Sequence, residues 1–238
     1  EDMLRGRTGS GEDKIQYAEL RLKSISGEYH WFGCHYKAIT SDAGTVAKVV
    51  GKLADISRQR SREQELREQA MRDVLTGIYN KAGEKLIDRM VKEKGQGLFL
   101  MLDLNDFKSI NDTMGHAAGD AILTEMGRVL KGACRENDIV ARIGGDEFVM
   151  FLPGAFDWQT GKRKIGEIQD SLRTVMITTW GIRGIRASIG AALCPEDGMD
   201  YETLFKAADE AMYLDKEQSK NRNESREAGE EKQDRTIS

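Results

Sequence analysis

Residues 141–152 read Ala-Arg-Ile-Gly-Gly-Asp-Glu-Phe-Val-Met-Phe-Leu: two glycines and two acids set between apolar runs. The flanking runs, Ile139–Ile143 and Phe148–Leu152, have the length and composition of strands. Gly144 and Gly145 between them predict a tight hairpin, because both can take positive φ. The bare backbone of the pair also leaves room for a phosphate. Asp146 and Glu147 follow at once, and strand alternation sends them to opposite faces. Only one of them is then expected to share a site with an acid on a neighbouring strand. In isolation such a pair reads equally well as solvated turn acids.

The neighbouring strand is Leu98–Leu104, nearly all apolar and therefore expected to be central and covered on both faces. It ends on Asp103. Taken alone, Asp103 is a strand-end residue meeting water or capping the next helix. Taken with Asp146 it is a metal ligand at the sheet edge. Mg²⁺ prefers oxygen donors and commonly takes one or two carboxylates, with water and substrate phosphate completing its shell. Two such ions can clamp the attacking and leaving oxygens of a phosphoryl transfer.

Residues 107–123, FKSINDTMGHAAGDAIL, add polar groups just after that strand. Lys108 offers charge to offset phosphate. Asn111 has amide donors and an acceptor, and ionised Asp120 only accepts. A carboxylate plus an amide matches the two N–H donors and the carbonyl on the Watson–Crick edge of guanine. Singly, Asn111 is an ordinary turn residue, and Asp120 reads as an N-cap of the helix AILTEMGRVL.

Helical apolar faces recur around these strands: Leu86–Ile87–Met90–Val91, Ile122 to Ala133, Ile165–Ile168–Leu172–Val175 and Leu204 to Met212. With a further strand at Ile185–Leu193, the alternation predicts an α/β (α+β) sandwich with a mixed sheet flanked by helices over residues 73–222. Upstream, residues 14–56 alternate as three strands joined by turns at Ser26-Gly27 and 41–44, an antiparallel meander. Residues 57–72, SRQRSREQELREQAMR, hold no Gly or Pro and read as a solvated linker helix. Positions 56, 63 and 70 share a heptad seam that Glu63 interrupts, so a two-stranded coiled coil is only weakly signalled. Residues 223–238 are polar and charged, the composition of a disordered tail.

The composition narrows the function classes. The 238 residues are 39% hydrophobic and 32% charged, with net charge −4, so nucleic acid is not an expected partner. No apolar run approaches the roughly 20 residues that span a bilayer. The start at Glu1 lacks a signal-peptide pattern and reads as a cut inside a longer protein. Cys34, Cys134 and Cys194 are scattered and read as reduced packing thiols of a cytoplasmic protein.

DVLTGIYN at 73–80, DLNDFKSINDTMGHAAGD at 103–120, GGDEF at 144–148, SIG at 188–190 and ADEAMYLDK at 208–216 together resemble the GGDEF diguanylate cyclase family. The resemblance implies a palm-like, nucleotide-cyclase-like fold and an enzyme that joins two GTP into cyclic di-GMP. It implies that Asp103, the Leu104 carbonyl and Asp146 hold Mg²⁺, with Mn²⁺ as the alternative ion. Asn111 and Asp120 would read guanine, and Lys108 would stabilise the reacting phosphates. Gly144 and Gly145 would seat the nucleotide, Glu147 would have a supporting catalytic or metal role, and Lys216 and Lys220 would bind terminal phosphates.

Arg135 and Asp138 match the family's RxxD inhibitory product site; as bare residues they are an i,i+3 ion pair. The product's two-fold symmetry implies a homodimer. The meander of residues 1–56 resembles, less specifically, the C-terminal part of a PAS sensor domain. Three departures stand out. Asn105 replaces a frequent Asp. Lys220 keeps charge but not the planar fork of the usual Arg. Asn80-Lys81 replaces Asn-Arg, which is expected to weaken any Asp73 salt bridge. These departures keep an alternative open: a catalytically weak GTP or cyclic di-GMP receptor, or a dimerisation scaffold.

Overall fold

The structure is a computed structural model and describes residues 15–42, 44–180, 187–214 and 216. Lys220, residues 185–186 and the polar tail from Asn223 lie outside the described residues. The chain divides into two compact units between Ala70 and Met71.

In the first unit, β1 (Gln16–Lys23), β2 (Tyr29–Thr40) and β3 (Val46–Asp55) form the antiparallel meander, in the order β1-β2-β3. Helix α1 (Ser57–Ala70) follows after a single residue. The Asp55 carboxylate accepts from the Ser57 amide at 2.8 Å, and this bond helps hold its pKa below the ordinary value. Arg60 donates to Glu19 at 2.6 Å and lies 4.0 Å over the Trp31 ring, which fastens the first turn of α1 to the sheet. Beyond that turn α1 buries nothing, as a helix with so few apolar residues must.

The second unit contains α2 (Gly83–Lys94), β4 (Gly97–Leu104), α3 (Phe107–Met114), α4 (His116–Gly132), β5 (Ile139–Gly144), β6 (Glu147–Pro153), α5 (Trp158–Trp180) and β7 (Ala187–Cys194). A further helix, α6, covers 201–214. The strand order is β5-β6-β4-β7. All pairings between these strands are antiparallel, and among the described residues the expected mixed sheet is mixed only through one parallel bridge, Tyr79 to Ala141. The short β5–β6 and β6–β4 relations need no parallel crossover within the sheet.

Alternation along β4 serves two cores. Leu98, Leu100, Leu102 and Leu104 meet Ile122, Met126 and Leu130 of α4 and Ile168 and Leu172 of α5. Phe99 and Met101 meet Ile87 and Val91 of α2 and Leu204, Ala208 and Met212 of α6. Each such side chain contributes about 1.5–3 kcal/mol when fully buried, so the position of β4 is set by its two faces together. Close approach of α6 also needs a glycine: a Cβ on Gly190 of β7 would fall 1.8 Å from the Ala208 carbonyl oxygen.

The chain enters this unit through a turn, 73–78, that is closed by Asp73 N–H donating to Ile78 O and Gly77 N–H donating to Asp73 O. The Asp73 carboxylate accepts from the Thr76 amide and hydroxyl at 2.9 and 2.7 Å. It also pairs with Arg142 at 3.1 Å. The weakening of an Asp73 salt bridge expected from Lys81 is therefore corrected: the cation comes from β5. Burial pushes the Asp73 pKa up, but the Thr76 and Arg142 contacts outweigh it and the net shift is downward from 3.8. A depressed folded-state pKa gives stability that is present above the unfolded value and is lost as pH falls through the folded one. Denaturant titrations should thus show Asp73→Asn less stable than wild type at pH 6–7, with the gap narrowing below the ordinary value of 3.8; a gap that is constant with pH would remove the ionised carboxylate from the account.

Candidate active site

The register of β4 on β6 places Asp103 directly opposite Glu147. Cross-strand partners point to one face, so Glu147, the first residue of β6, shares a face with Asp103. Asp146 sits in the turn, where strand alternation no longer governs direction. Hence both acids of the pair feel Asp103, and the expectation that only one would do so is corrected. Burial pushes the Asp146 pKa up, and Asp103 pushes it further. For Glu147 the upward causes are burial, then Asp103, Asp146 and Asp209 of α6.

One cation already answers this negative charge. Lys216 Nζ lies 2.8 Å from Asp103 Oδ1. It opposes the upward shifts of Asp146 and Glu147. Asp103, Glu147, Asp209 and Lys216 line a pocket of ≈ 580 Å³ whose other wall is the apolar Met212, Tyr213 and Leu214 of α6. Among the described residues no group of three or more His, Cys, Asp or Glu forms a ready metal cage. The Asp103 and Asp146 carboxylates are hard oxygen donors, and Mg²⁺ takes one or two of these with water and phosphate at its other positions. Mutual repulsion among hard oxygen donors, met by an ammonium stand-in on Asp103, is the chemistry a divalent cation would satisfy.

Gly144 and Gly145 form the expected hairpin but not for the expected reason. The loop is Gly145-Asp146, closed by the Gly144–Glu147 pair. Neither glycine has a positive φ. Instead the ladder shifts register between Arg142 and Gly144, and that irregularity turns the chain. A Cβ on Gly145 would meet nothing within 4 Å, and one on Gly144 would meet only the Glu147 carboxylate at 3.0 Å. The absent side chains leave clearance above the turn rather than an unusual backbone.

The two residues expected to read guanine lie on α3 and α4. Asn111 Oδ1 is buried and has no partner. A Cβ on Gly119 would fall 2.0 Å from it, so Gly119 is what admits the amide. Asp120, the next residue, is exposed. It is not an N-cap: α4 starts at His116, and Asp120 lies a turn inside the helix. That leaves its carboxylate free of any capping duty.

Other expected residues are placed differently. Lys108 is exposed on α3, and no hydrogen bond or ion pair joins it to the acidic group among the described residues. Leu104 is buried at the end of β4, paired with Ala187. Asn105 accepts from the buried Ser188 hydroxyl at 2.8 Å, which fixes the loop after β4; its role is structural. Arg135 is exposed and Asp138 is buried, and the expected ion pair between them is absent: Asp138 accepts from the Arg135 amide at 2.8 Å. Two participants were given no role by the sequence reading. Asp209 lies within a quoted motif but was given no role, and Arg142 donates to the Gly145 carbonyl at 2.9 Å.

The family described as diguanylate cyclase, GGDEF domain, matches residues 70–222, and the chain belongs to this family. It is 33% identical over 165 residues to the diguanylate cyclase DgcS of Shewanella oneidensis, covering 66% of this chain and 53% of that protein. It is 34% identical over 161 residues to the diguanylate cyclase TpbB of Pseudomonas aeruginosa, covering 65% of this chain and 37% of that protein. Among solved structures, the coiled coil and GGDEF domain of DgcB from Caulobacter crescentus, in complex with c-di-GMP, matches with a TM-score of 0.60 and 28% identity. It covers 68% of this chain and 88% of that one. The chain spans between 21% and 53% of the length of the curated relatives it matches.

Clearance at Gly145 makes a separable prediction. Gly145→Ala should leave folding stability within about 0.5 kcal/mol, because the added Cβ meets nothing within 4 Å. Guanine-nucleotide affinity, measured by calorimetry, should fall about tenfold, or 1.4 kcal/mol. Unchanged affinity would mean that the nucleotide does not lie over this turn.

Proposed function

We propose that this chain is a diguanylate cyclase that condenses two GTP into cyclic di-GMP with release of two pyrophosphates. The observation that carries the reading is the acidic group Asp103, Asp146 and Glu147, countered by Lys216, beside a hairpin turn left clear by two glycines. Asn111, with its unpartnered buried oxygen, and Asp120 together hold the guanine edge.

Asp103, the Leu104 carbonyl and Asp146 would hold Mg²⁺, or Mn²⁺ in its place, which when bound supplies charge neutralisation at the phosphates. The 3′-hydroxyl of each GTP attacks the α-phosphorus of the other, so that two phosphodiester bonds form and two pyrophosphates leave in line. Asp146 or a metal-bound water would assist removal of the hydroxyl proton, with Glu147 in a supporting role. Lys216 moves from Asp103 to the terminal phosphates, and Lys220 adds a second cation. Lys108, exposed on α3, contributes charge from the rim. Each chain would carry one nucleotide site, so the reaction needs a homodimer with two sites facing each other.

Product inhibition is proposed at Arg135 and Asp138. Because Asp138 bonds the Arg135 backbone rather than its guanidinium, that guanidinium is left to meet a phosphate or guanine face. The first unit is proposed as the C-terminal part of a PAS-like sensor, and α1 as the helix that sets the spacing of paired cyclase units. An enzyme drawing on GTP works in the cytoplasm. Among the described residues, no helix is long and apolar enough to cross a membrane.

Incubation with GTP and Mg²⁺ should give cyclic di-GMP and pyrophosphate on chromatography. Asp103→Asn should reduce turnover by at least about a hundredfold, and substantial residual activity would sink the metal assignment. Nucleotide binding without product, at protein concentrations that force dimers, would favour the receptor reading instead. Arg135→Ala should abolish any plateau in the progress curve caused by added cyclic di-GMP; a plateau that persists would place inhibition elsewhere.

A further inference from the structure

Arg142 occupies the last regular position of β5 before the register shift, opposite Phe148. Its side chain is 16% exposed and makes two connections at once. Nε donates to the Gly145 carbonyl at 2.9 Å, and Nη1 donates to the Asp73 carboxylate at 3.1 Å. Its backbone is held as well, since Arg142 N–H donates to Tyr79 O at 2.8 Å.

The two ends of this bridge differ in rigidity. Asp73 is fixed by Thr76 and by the closed 73–78 turn. Around Gly145 the protein offers nothing for a side chain to pack on. The Arg142 bond reaches the 144–146 turn from a side chain outside it. The ladder pair Gly144–Glu147 closes the turn at its base, and the Arg142 guanidinium adds a tether to the Gly145 carbonyl beyond that pair.

We propose that Arg142 is a positioning residue that ties the Gly144–Gly145 nucleotide turn to the Asp73 turn, so that the two are held as one body. The guanidinium does this because its planar fork serves two acceptors in fixed directions, whereas an ammonium is a point charge on a flexible stem. Asp73 begins only three residues after Ala70, so a displacement of the entering chain at Asp73 is passed to the Gly145 carbonyl. Asp146, next in sequence, moves with it. This assignment rests on the cyclase reading for its catalytic consequence, but the tether itself is a structural statement.

The test uses the full chain as wild type, Arg142→Ala and Arg142→Lys. Thermal stability, kcat and KM for GTP with Mg²⁺, and amide hydrogen exchange of residues 143–147 without nucleotide are measured. A misplacement of about 1 Å at a reacting site is worth up to about a hundredfold in rate. Both variants should therefore lose about tenfold or more in kcat, with a smaller change in KM, and exchange at 143–147 should quicken while that of β4 does not.

Arg142→Lys should regain most of the thermal stability lost in Arg142→Ala, because the Asp73 pair survives, yet should not regain kcat. Recovery of kcat together with stability in Arg142→Lys would overturn the proposal, as would wild-type exchange at 143–147 in both variants. If the wild type itself makes no cyclic di-GMP, the cyclase reading fails by itself, and the exchange comparison still decides the tether.

Discussion

Antiparallel pairing of β4 with β6 is the constraint on which the site depends. Both strands are central, and β4 is buried on both faces. A slip of one residue would exchange the set facing α4 and α5 with the set facing α2 and α6. Phe99 and Met101 would then displace leucines against α4, at a cost of several large side chains. The register that avoids this also sets Asp103 against Glu147. Two acids meet at the sheet's end because apolar packing elsewhere leaves them no other place.

That juxtaposition is unfavourable by itself, as the upward pKa shifts of Asp146 and Glu147 record. Lys216 relieves part of it from the far side of the pocket. A site that holds repelling carboxylates around one ammonium suits exchange of counter-charge, which the proposed metal ion and triphosphate would supply. The hairpin turn beside them is open on its outer side and is held through Arg142. Dense packing below and clearance above suit a surface on which a nucleotide lies.

The first unit is built differently. Every residue of β3 is exposed. Its three-stranded sheet is held by cross-strand pairing and by the Arg60 contacts with Glu19 and Trp31 rather than by a core. Three strands with one helix are near the lower limit for independent stability, whereas the second unit carries two full cores.

Much of this was legible in advance. The unbroken apolar run of β4 announced a strand covered on both faces, and helical periodicity announced the helices that cover it. The glycine pair between two strands announced the hairpin, and the order and spacing of the motifs announced the family. Legibility failed wherever a role depended on distant partners. Asp120 read as an N-cap because helix α4 was begun too late, at the apolar residues rather than at His116. Arg142 had no local signal, because its partner Asp73 is 69 residues away in sequence. Arg135 and Asp138 read as an ion pair by spacing, but the buried carboxylate found the nearer backbone amide. The sequence alone determined which residues are buried, which turn, and which chemistry is carried, because those follow from local composition and period. Tertiary structure alone decided which carboxylate faces Asp103, why the glycines are needed, and what holds their turn, because those follow from distances between segments that only folding brings together.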